Sequence, residues 1–212
     1  MNFPDRFSVT HFIEKKKIVA IIRARESASL TDAVSALQEG GIACIEVTMT
    51  TPGALKVLEE VRSKKDDILF GAGTVLDTET ARLAILSGAQ FIVTPSLNID
   101  CIKMCHRYDL PVIPGALTPT EVLSAWDHGA ECVKVFPASN LGPEYIKALK
   151  GPFPQIKLCP TGGINLDNLQ AFIKAGASCL GVGGKLVDAT IIQEKKWKEL
   201  SEIARQYVTK LT

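Results

Sequence analysis

Lys134 is the residue whose setting is most suggestive of chemistry. It is the one polar residue in Cys132-Val133-Lys134-Val135-Phe136-Pro137. That run reads as a strand buried on both faces, as in a parallel sheet flanked by helices. Burial strips an ammonium of its hydration and favours the free amine. A free amine attacks ketones and aldehydes, the first step of Schiff-base catalysis. The same strand would also suit a lysine that snorkels to the rim or pairs with a buried carboxylate. Such a carboxylate exists in a second apolar run, Ala43-Cys44-Ile45-Glu46-Val47-Thr48.

The elements that must position these two residues alternate regularly. Strands are expected at 18–22, 43–48, 68–71, 91–94, 112–114, 132–137, 156–159 and 179–182. A leading helix is expected over about 4–16. Between strands, Ser29 opens a helix that Gly40-Gly41 close. Thr51-Pro52 places proline at a first helical position. Thr118-Pro119-Thr120-Glu121 is a capping box. Further helices are expected near 98–107, 143–150 and 166–175. The last helix carries Trp197, Leu200, Ile203, Ala204, Tyr207 and Leu211 on one stripe. Eight strands alternating with helices predict a single domain over 1–212, a TIM (β/α)8 barrel with an N-terminal helix. A doubly wound open sheet is disfavoured, because Arg23-Ala24-Arg25 follows the first strand where a GxGxxG loop would stand.

An internal repeat ties the two ionisable residues together. Gly41 to Val47 resembles Gly129 to Val135, and the segments from Gly88 and Gly176 share the same frame. Each begins with a helix-terminating glycine and leads an even-numbered strand. Glu46, Val93, Lys134 and Gly181 therefore occupy one register. Alternate strands of such a barrel supply one layer of inward side chains, with chemistry at the carboxyl ends. Glu46 and Lys134 are expected to face each other there, either as an internal salt bridge or around a substrate.

Two glycine loops follow the last two strands. Pro160-Thr161-Gly162-Gly163-Ile164 and Gly181-Val182-Gly183-Gly184-Lys185 stand where barrels of this type bind phosphate through backbone N–H groups. Glycines that merely form tight turns are the plainer reading. Gly71-Ala72-Gly73-Thr74 is a third such loop, with a hydroxyl.

Composition narrows the classes. The chain has 212 residues, is 46% hydrophobic and 22% charged, and carries a net charge of +1. Nothing in that balance calls for nucleic acid or a membrane as partner. The polar start, Met1 to Lys17, shows no signal peptide. The six cysteines fall mostly in apolar runs, as buried free thiols do, and point to a reducing cytoplasm. Cys101 and Cys105 with His106 form only a fragment of a metal site, and no second pair completes it. No metal or cofactor is expected.

Five motifs in order carry a resemblance: Ile45-Glu46-Val47-Thr48, Gly71 to Leu76, Val112 to Gly115, Val133 to Pro137, and Cys159 to Ile164. Through them nearly the whole chain resembles the 2-keto-3-deoxy-6-phosphogluconate / 4-hydroxy-2-oxoglutarate (KDPG/KHG) aldolase family. The resemblance implies a metal-free class I aldolase, usually a homotrimer, that cleaves a 2-keto-4-hydroxy acid to pyruvate and an aldehyde. It implies Lys134 as the Schiff-base residue and Glu46 as general acid/base. Thr74 would hold the pyruvate carboxylate, and Thr161 would border the substrate. Pro95 and Phe136 would line the pocket, and Gly162, Gly163, Gly183 and Gly184 the phosphate side. Two positions depart from the pattern. Well-known members carry a carboxylate-binding arginine where this chain has Met49-Thr50-Thr51, whereas Arg23 ends the neighbouring strand, as in the related 6-phosphogalactonate aldolases. Lys185 stands where a serine is common. A sugar-phosphate epimerase or isomerase on the same barrel is the rival enzyme class, and a non-catalytic phosphate-binding protein the rival outside enzymes.

Overall fold

Side chains alternate across a strand, and here the alternation sorts the apolar residues into two cores. The computed structural model describes residues 5–64 and 67–211. Its elements run α1 (Arg6–Lys16), β1 (Ile18–Ile22), α2 (Leu30–Glu39), β2 (Cys44–Thr48), α3 (Ala54–Lys64), β3 (Leu69–Gly73), α4 (Thr78–Leu86) and β4 (Ile92–Val93). There follow α5 (Ile99–His106), β5 (Val112–Ile113), β6 (Gly115–Ala116), α6 (Pro119–Asp127), β7 (Val133–Val135), α7 (Gly142–Lys150), β8 (Leu158–Pro160), α8 (Leu169–Lys174), β9 (Leu180–Val182), α9 (Ala189–Gln193) and α10 (Trp197–Leu211).

All strand pairs are parallel. Six strands form one sheet in the order β5-β4-β3-β2-β1-β9, and three form a second in the order β6-β7-β8. The expected single sheet of eight strands is thus two sheets. The fifth expected strand ends at Pro114, which has no N–H for a ladder, and an unexpected short strand, β6, follows it. On one side β5 pairs with β4; beyond the proline, β6 pairs with β7. The Pro114 carbonyl still accepts from Lys134 N at 2.8 Å. A lone parallel bridge, Thr161↔Gly181, links the end of β8 to β9.

The outer core holds Ile18, Ala20 and Ile22 of β1, Ile45 and Val47 of β2, and Val133 and Val135 of β7, packed under the helices. The inner core holds Val19, Cys44, Leu69, Phe91, Val93, Ile113, Cys132, Cys159 and Cys179. Val9 and Ile13 of α1 complete that inner cluster from the amino ends of the strands. Glu46 lies between two outward residues, and so does Lys134, which places both on the inner face.

The helices start and stop where their chemistry directs. The capping box on α6 is complete, with Thr118 N donating to Glu121 Oε2 at 2.8 Å and Glu121 N to Thr118 Oγ1 at 3.3 Å. In contrast, α3 begins at Ala54 instead of at Pro52, because Gly53 has φ 74°, outside the helical region. Helix α8 likewise starts late, after a turn in which Asn165 Oδ1 accepts from Asp167 N and Asn168 N. The leading helix begins at Arg6, with Asp5 accepting from Ser8 N; the expected first residue lies outside the described residues.

Candidate active site

Glu46 and Lys134 come to the inner face from different sheets. Glu46 aligns with Ile21 of β1 and Gly71 of β3. Lys134 aligns with Gly115 of β6 and Cys159 of β8. Both are nearly closed off, with 1% and 6% of their surface exposed. Burial pushes the Glu46 carboxyl up from its ordinary value, while the positive charges of Lys134 and Arg23 pull the other way. No ion pair within 4.0 Å joins Glu46 to a base among the described residues. The internal salt bridge is therefore absent, and the two groups act on each other through space.

Two bare positions make room for this layer. A Cβ on Gly73 would lie 2.4 Å from Glu46 Oε1, so the carboxylate rests on the backbone of β3. A Cβ on Gly181 would lie 2.2 Å from Thr161 Oγ1. Thr161 is buried, and its hydroxyl donates to the Cys159 carbonyl at 3.3 Å. The Lys134 ammonium position lies 4.9 Å from the centroid of the Phe136 ring, which is partly exposed and walls the amine. Pro95 reaches the same neighbourhood by backbone: its carbonyl presses on Gly115, the register partner of Lys134.

The other expected residues spread around the carboxyl ends. Thr74 follows β3 with φ 57°, a left-handed backbone that costs a β-branched residue energy and is characteristic of functional turns. It lines a cavity of about 570 Å³ with Met49, Thr51, Leu76 and Leu83. Gly163, Gly184 and Lys185 line a separate cavity of about 630 Å³. That second cavity also carries Asp188, Glu194 and Glu199, so it is not uniformly basic. Gly162 and Gly163 have φ of 97° and 74° and turn the chain after β8. The Gly183 carbonyl accepts from Leu186 N and Val187 N, closing the next loop, while Lys185 is exposed. Arg23 continues the inward alternation of Val19 and Ile21, yet it is exposed at the rim instead of enclosed.

Sequence reasoning missed the hydroxyls between β2 and α3. Thr48 and Thr51 are buried, and Thr51 Oγ1 accepts from Ala24 N at 3.2 Å. The only sequence signal was three threonines within four positions.

Residues 9–203 match the family described as KDPG and KHG aldolase. A 2-dehydro-3-deoxy-phosphogluconate aldolase of Haemophilus influenzae is 33% identical over 95% of this chain and 97% of its own length. A 2-dehydro-3-deoxy-6-phosphogalactonate aldolase of Escherichia coli is 32% identical over 91% of this chain and 95% of its own. Among solved structures, a KDPG aldolase of Legionella pneumophila, with pyruvate captured as a covalent carbinolamine, superposes with a TM-score of 0.83. It is 31% identical, over 91% of this chain and 94% of that one.

Proposed function

We propose a mechanism on the premise that this chain belongs to the KDPG and KHG aldolase family and is a class I aldolase. Its substrate is a 2-keto-4-hydroxy acid. Lys134, as free amine, adds to the C2 ketone; the carbinolamine loses water and becomes a protonated imine. Glu46 takes the C4 hydroxyl proton. The C3–C4 bond breaks, its electrons pass into the iminium to give an enamine, and the aldehyde leaves. Protonated Glu46 then returns the proton to C3, and water releases pyruvate from Lys134. One observation carries this assignment. A lysine and a glutamate, both buried on the inner face at carboxyl strand ends, are held out of contact with each other. The carbinolamine of the Legionella relative supports a covalent route.

Around this pair, Arg23 grips the C1 carboxylate with Thr74, in place of the arginine absent from Met49-Thr50-Thr51. Thr161, Pro95 and Phe136 border the substrate. Gly162, Gly163, Gly183, Gly184 and Lys185 hold the far end. The favoured substrates are 2-dehydro-3-deoxy-6-phosphogluconate and 4-hydroxy-2-oxoglutarate, giving glyceraldehyde 3-phosphate or glyoxylate. The arginine at the end of β1 supports a second reading, cleavage of the phosphogalactonate epimer, the substrate in the name of one relative. A coupled pyruvate assay with each of the three substrates ranks them.

We infer further that the two sheets are arcs of one closed barrel in a single domain. Pro114 joins β5 to β6 along the chain, and the Thr161↔Gly181 bridge and the β1–β9 pairing support closure. The exposed apolar residues Leu76, Leu83 and Leu86 support association between copies, and a homotrimer is the assembly that the family resemblance implies. The free thiols support a reducing cytoplasmic setting; no helix among the described residues is long and apolar enough to cross a membrane.

The test is borohydride reduction in the presence of pyruvate. It should fix a reduced pyruvyl group on Lys134 and abolish turnover, and Lys134→Ala should trap nothing and fall to background. Label on another lysine, or none, overturns the Schiff-base assignment. Conversion of a sugar phosphate with neither trapping nor pyruvate release would favour the epimerase or isomerase class.

A further inference from the structure

The ladder between β1 and β2 ends at Ile22↔Val47, just before Arg23. Arg23 itself makes no ion pair within 4.0 Å among the described residues. An exposed guanidinium without an ion-pair partner is weakly constrained at its charged end, yet a two-pronged grip on a carboxylate demands a fixed direction. Its point of departure is set by its backbone.

That backbone is held by a side chain. The Ala24 N–H donates to Thr51 Oγ1 at 3.2 Å. Thr51 Oγ1 lies 3.3 Å from Thr48 Oγ1, which lies 3.0 Å from Thr50 Oγ1. Each hydroxyl offers one proton and two lone pairs, so an order from Thr51 to Thr48 to Thr50 satisfies all three links at once. The two loops also touch beside this chain: a Cβ on Gly53 would sit 2.7 Å from Ser27 Oγ. A chain of hydroxyl contacts thus links Thr48, Thr50 and Thr51 to the backbone that follows Arg23.

We propose that Thr51 is a positioning residue for 2-keto acid recognition: through the Ala24 N–H it fixes the end of β1 and so aims Arg23 at the substrate carboxylate. This rests on the assignment of Arg23 made above. The plainer alternative is a hydroxyl that only satisfies a part-buried amide, and it predicts lost stability without a carboxylate-specific effect.

The readout is the pyruvate concentration that half-saturates borohydride trapping at Lys134, with pyruvamide as the uncharged probe. Thr51→Val keeps the shape and removes the acceptor. It should raise the half-saturating pyruvate concentration roughly five- to tenfold, the effect of one hydrogen bond, and leave pyruvamide unchanged. Thr51→Ser should restore the wild-type value. In an Arg23→Ala background, Thr51→Val should add nothing. If Arg23→Ala leaves pyruvate trapping unchanged, the Arg23 assignment falls and this proposal with it. If Arg23→Ala weakens trapping but Thr51→Val does not, Arg23 stands and the role of Thr51 is refuted. Equal effects of Thr51→Val with and without Arg23, or equal effects on pyruvate and pyruvamide, refute it too. Should the valine variant fail to fold, Thr51→Cys supplies a weaker acceptor, and a smaller change in the same direction is required of it.

Discussion

The two ends of the strands treat buried charge in opposite ways. At the amino ends, the Glu131 carboxylate is in direct contact with the Arg6 guanidinium, which also reaches Asp109 at 3.1 Å. His106 Nε2 faces the same carboxylate at 3.4 Å, and Lys157 meets Glu14 at 2.6 Å. These contacts fasten α1 beneath the inner core. At the carboxyl ends, Glu46 and Lys134 are buried more deeply than Arg6 and touch no opposite charge. Contact cancels a charge and makes it a tether. Separation leaves a carboxylate with a raised proton affinity and an amine with no carboxylate on it, which is what proton transfer and nucleophilic attack need. A buried, unpaired carboxylate also costs stability. The end that carries Glu46 and Lys134 should therefore be the strained one, and the opposite end the one that holds the fold.

The sharpest way to break that contrast is Glu46→Gln. The amide occupies the same bed on Gly73 but cannot accept the proton. Cleavage should fall by about 10²- to 10⁴-fold, while borohydride trapping with pyruvate persists. Stability should move the other way. Burial raises the folded-state pKa of Glu46 above its unfolded value. The folded protein then holds the proton longer than the unfolded chain. The wild type loses stability as pH rises from the unfolded value of about 4.3 through the higher folded value. At neutral pH the glutamine variant should melt higher than wild type, and that advantage should vanish in acid. The same shift moves the acidic limb of the kcat/KM profile above that of an ordinary glutamate, since the base must be ionised. Melting curves across pH with the coupled assay check both. A glutamine variant with near wild-type turnover would place the base elsewhere.

Arg6→Ala tests the other end. It strands the Glu131 carboxylate, one of whose oxygens already makes no hydrogen bond. The loss of stability should be about 2–3 kcal/mol, below the range for a fully enclosed pair because Arg6 is a quarter exposed. Denaturant unfolding measures it, and kcat/KM at a temperature where the variant stays folded should hardly change. A large loss of activity without a loss of stability would mean that the two ends are not separable.

How legible each end was in the sequence follows from the range of the interactions. The Glu46–Lys134 layer was visible because strand alternation is local: Ile45-Glu46-Val47 and Val133-Lys134-Val135 each declare an inward polar residue between outward apolar ones. The repeated glycine frame then put the two strands in step. The tether was invisible, because Arg6 and Glu131 lie 125 residues apart, and the repeat that contains Glu131 says nothing of Arg6. The split at Pro114 was within reach, since a proline inside an apolar run predicts a broken ladder. The late start of α3 was equally within reach, because Pro52-Gly53 is a turn dipeptide as well as a helix start. The exposure of Arg23 was not legible, because alternation fixes a face but not how far beyond the sheet a long side chain ends.

Lys185→Ala is the smallest of these tests and sharpens the contrast at its rim. Lys185 lies at the carboxyl ends but on the surface, beside Gly163 and Gly184. It differs from Lys134 in being exposed, and from Arg6 in having no ion pair within 4.0 Å among the described residues. A lysine serves phosphate as a compact point charge, and water weakens that attraction. The nearby Asp188 carboxylate weakens it further: its pKa is lowered chiefly by hydrogen bonds from Thr190, and in lesser part by the charge of Lys185. KM for a phosphorylated substrate should rise only about fivefold in Lys185→Ala, as expected for an exposed charge. KM for 4-hydroxy-2-oxoglutarate, which has no phosphate, should stay constant, and so should pyruvate trapping at Lys134. Salt supplies the control. Raising ionic strength well above 0.1 M, where the screening length is about 10 Å, should erase the difference between wild type and variant for the phosphorylated substrate. It should leave the Glu46→Gln defect intact, because a buried pair is shielded from ions. Equal rises in KM for both substrates would show that Lys185 shapes the loop instead of meeting a phosphate.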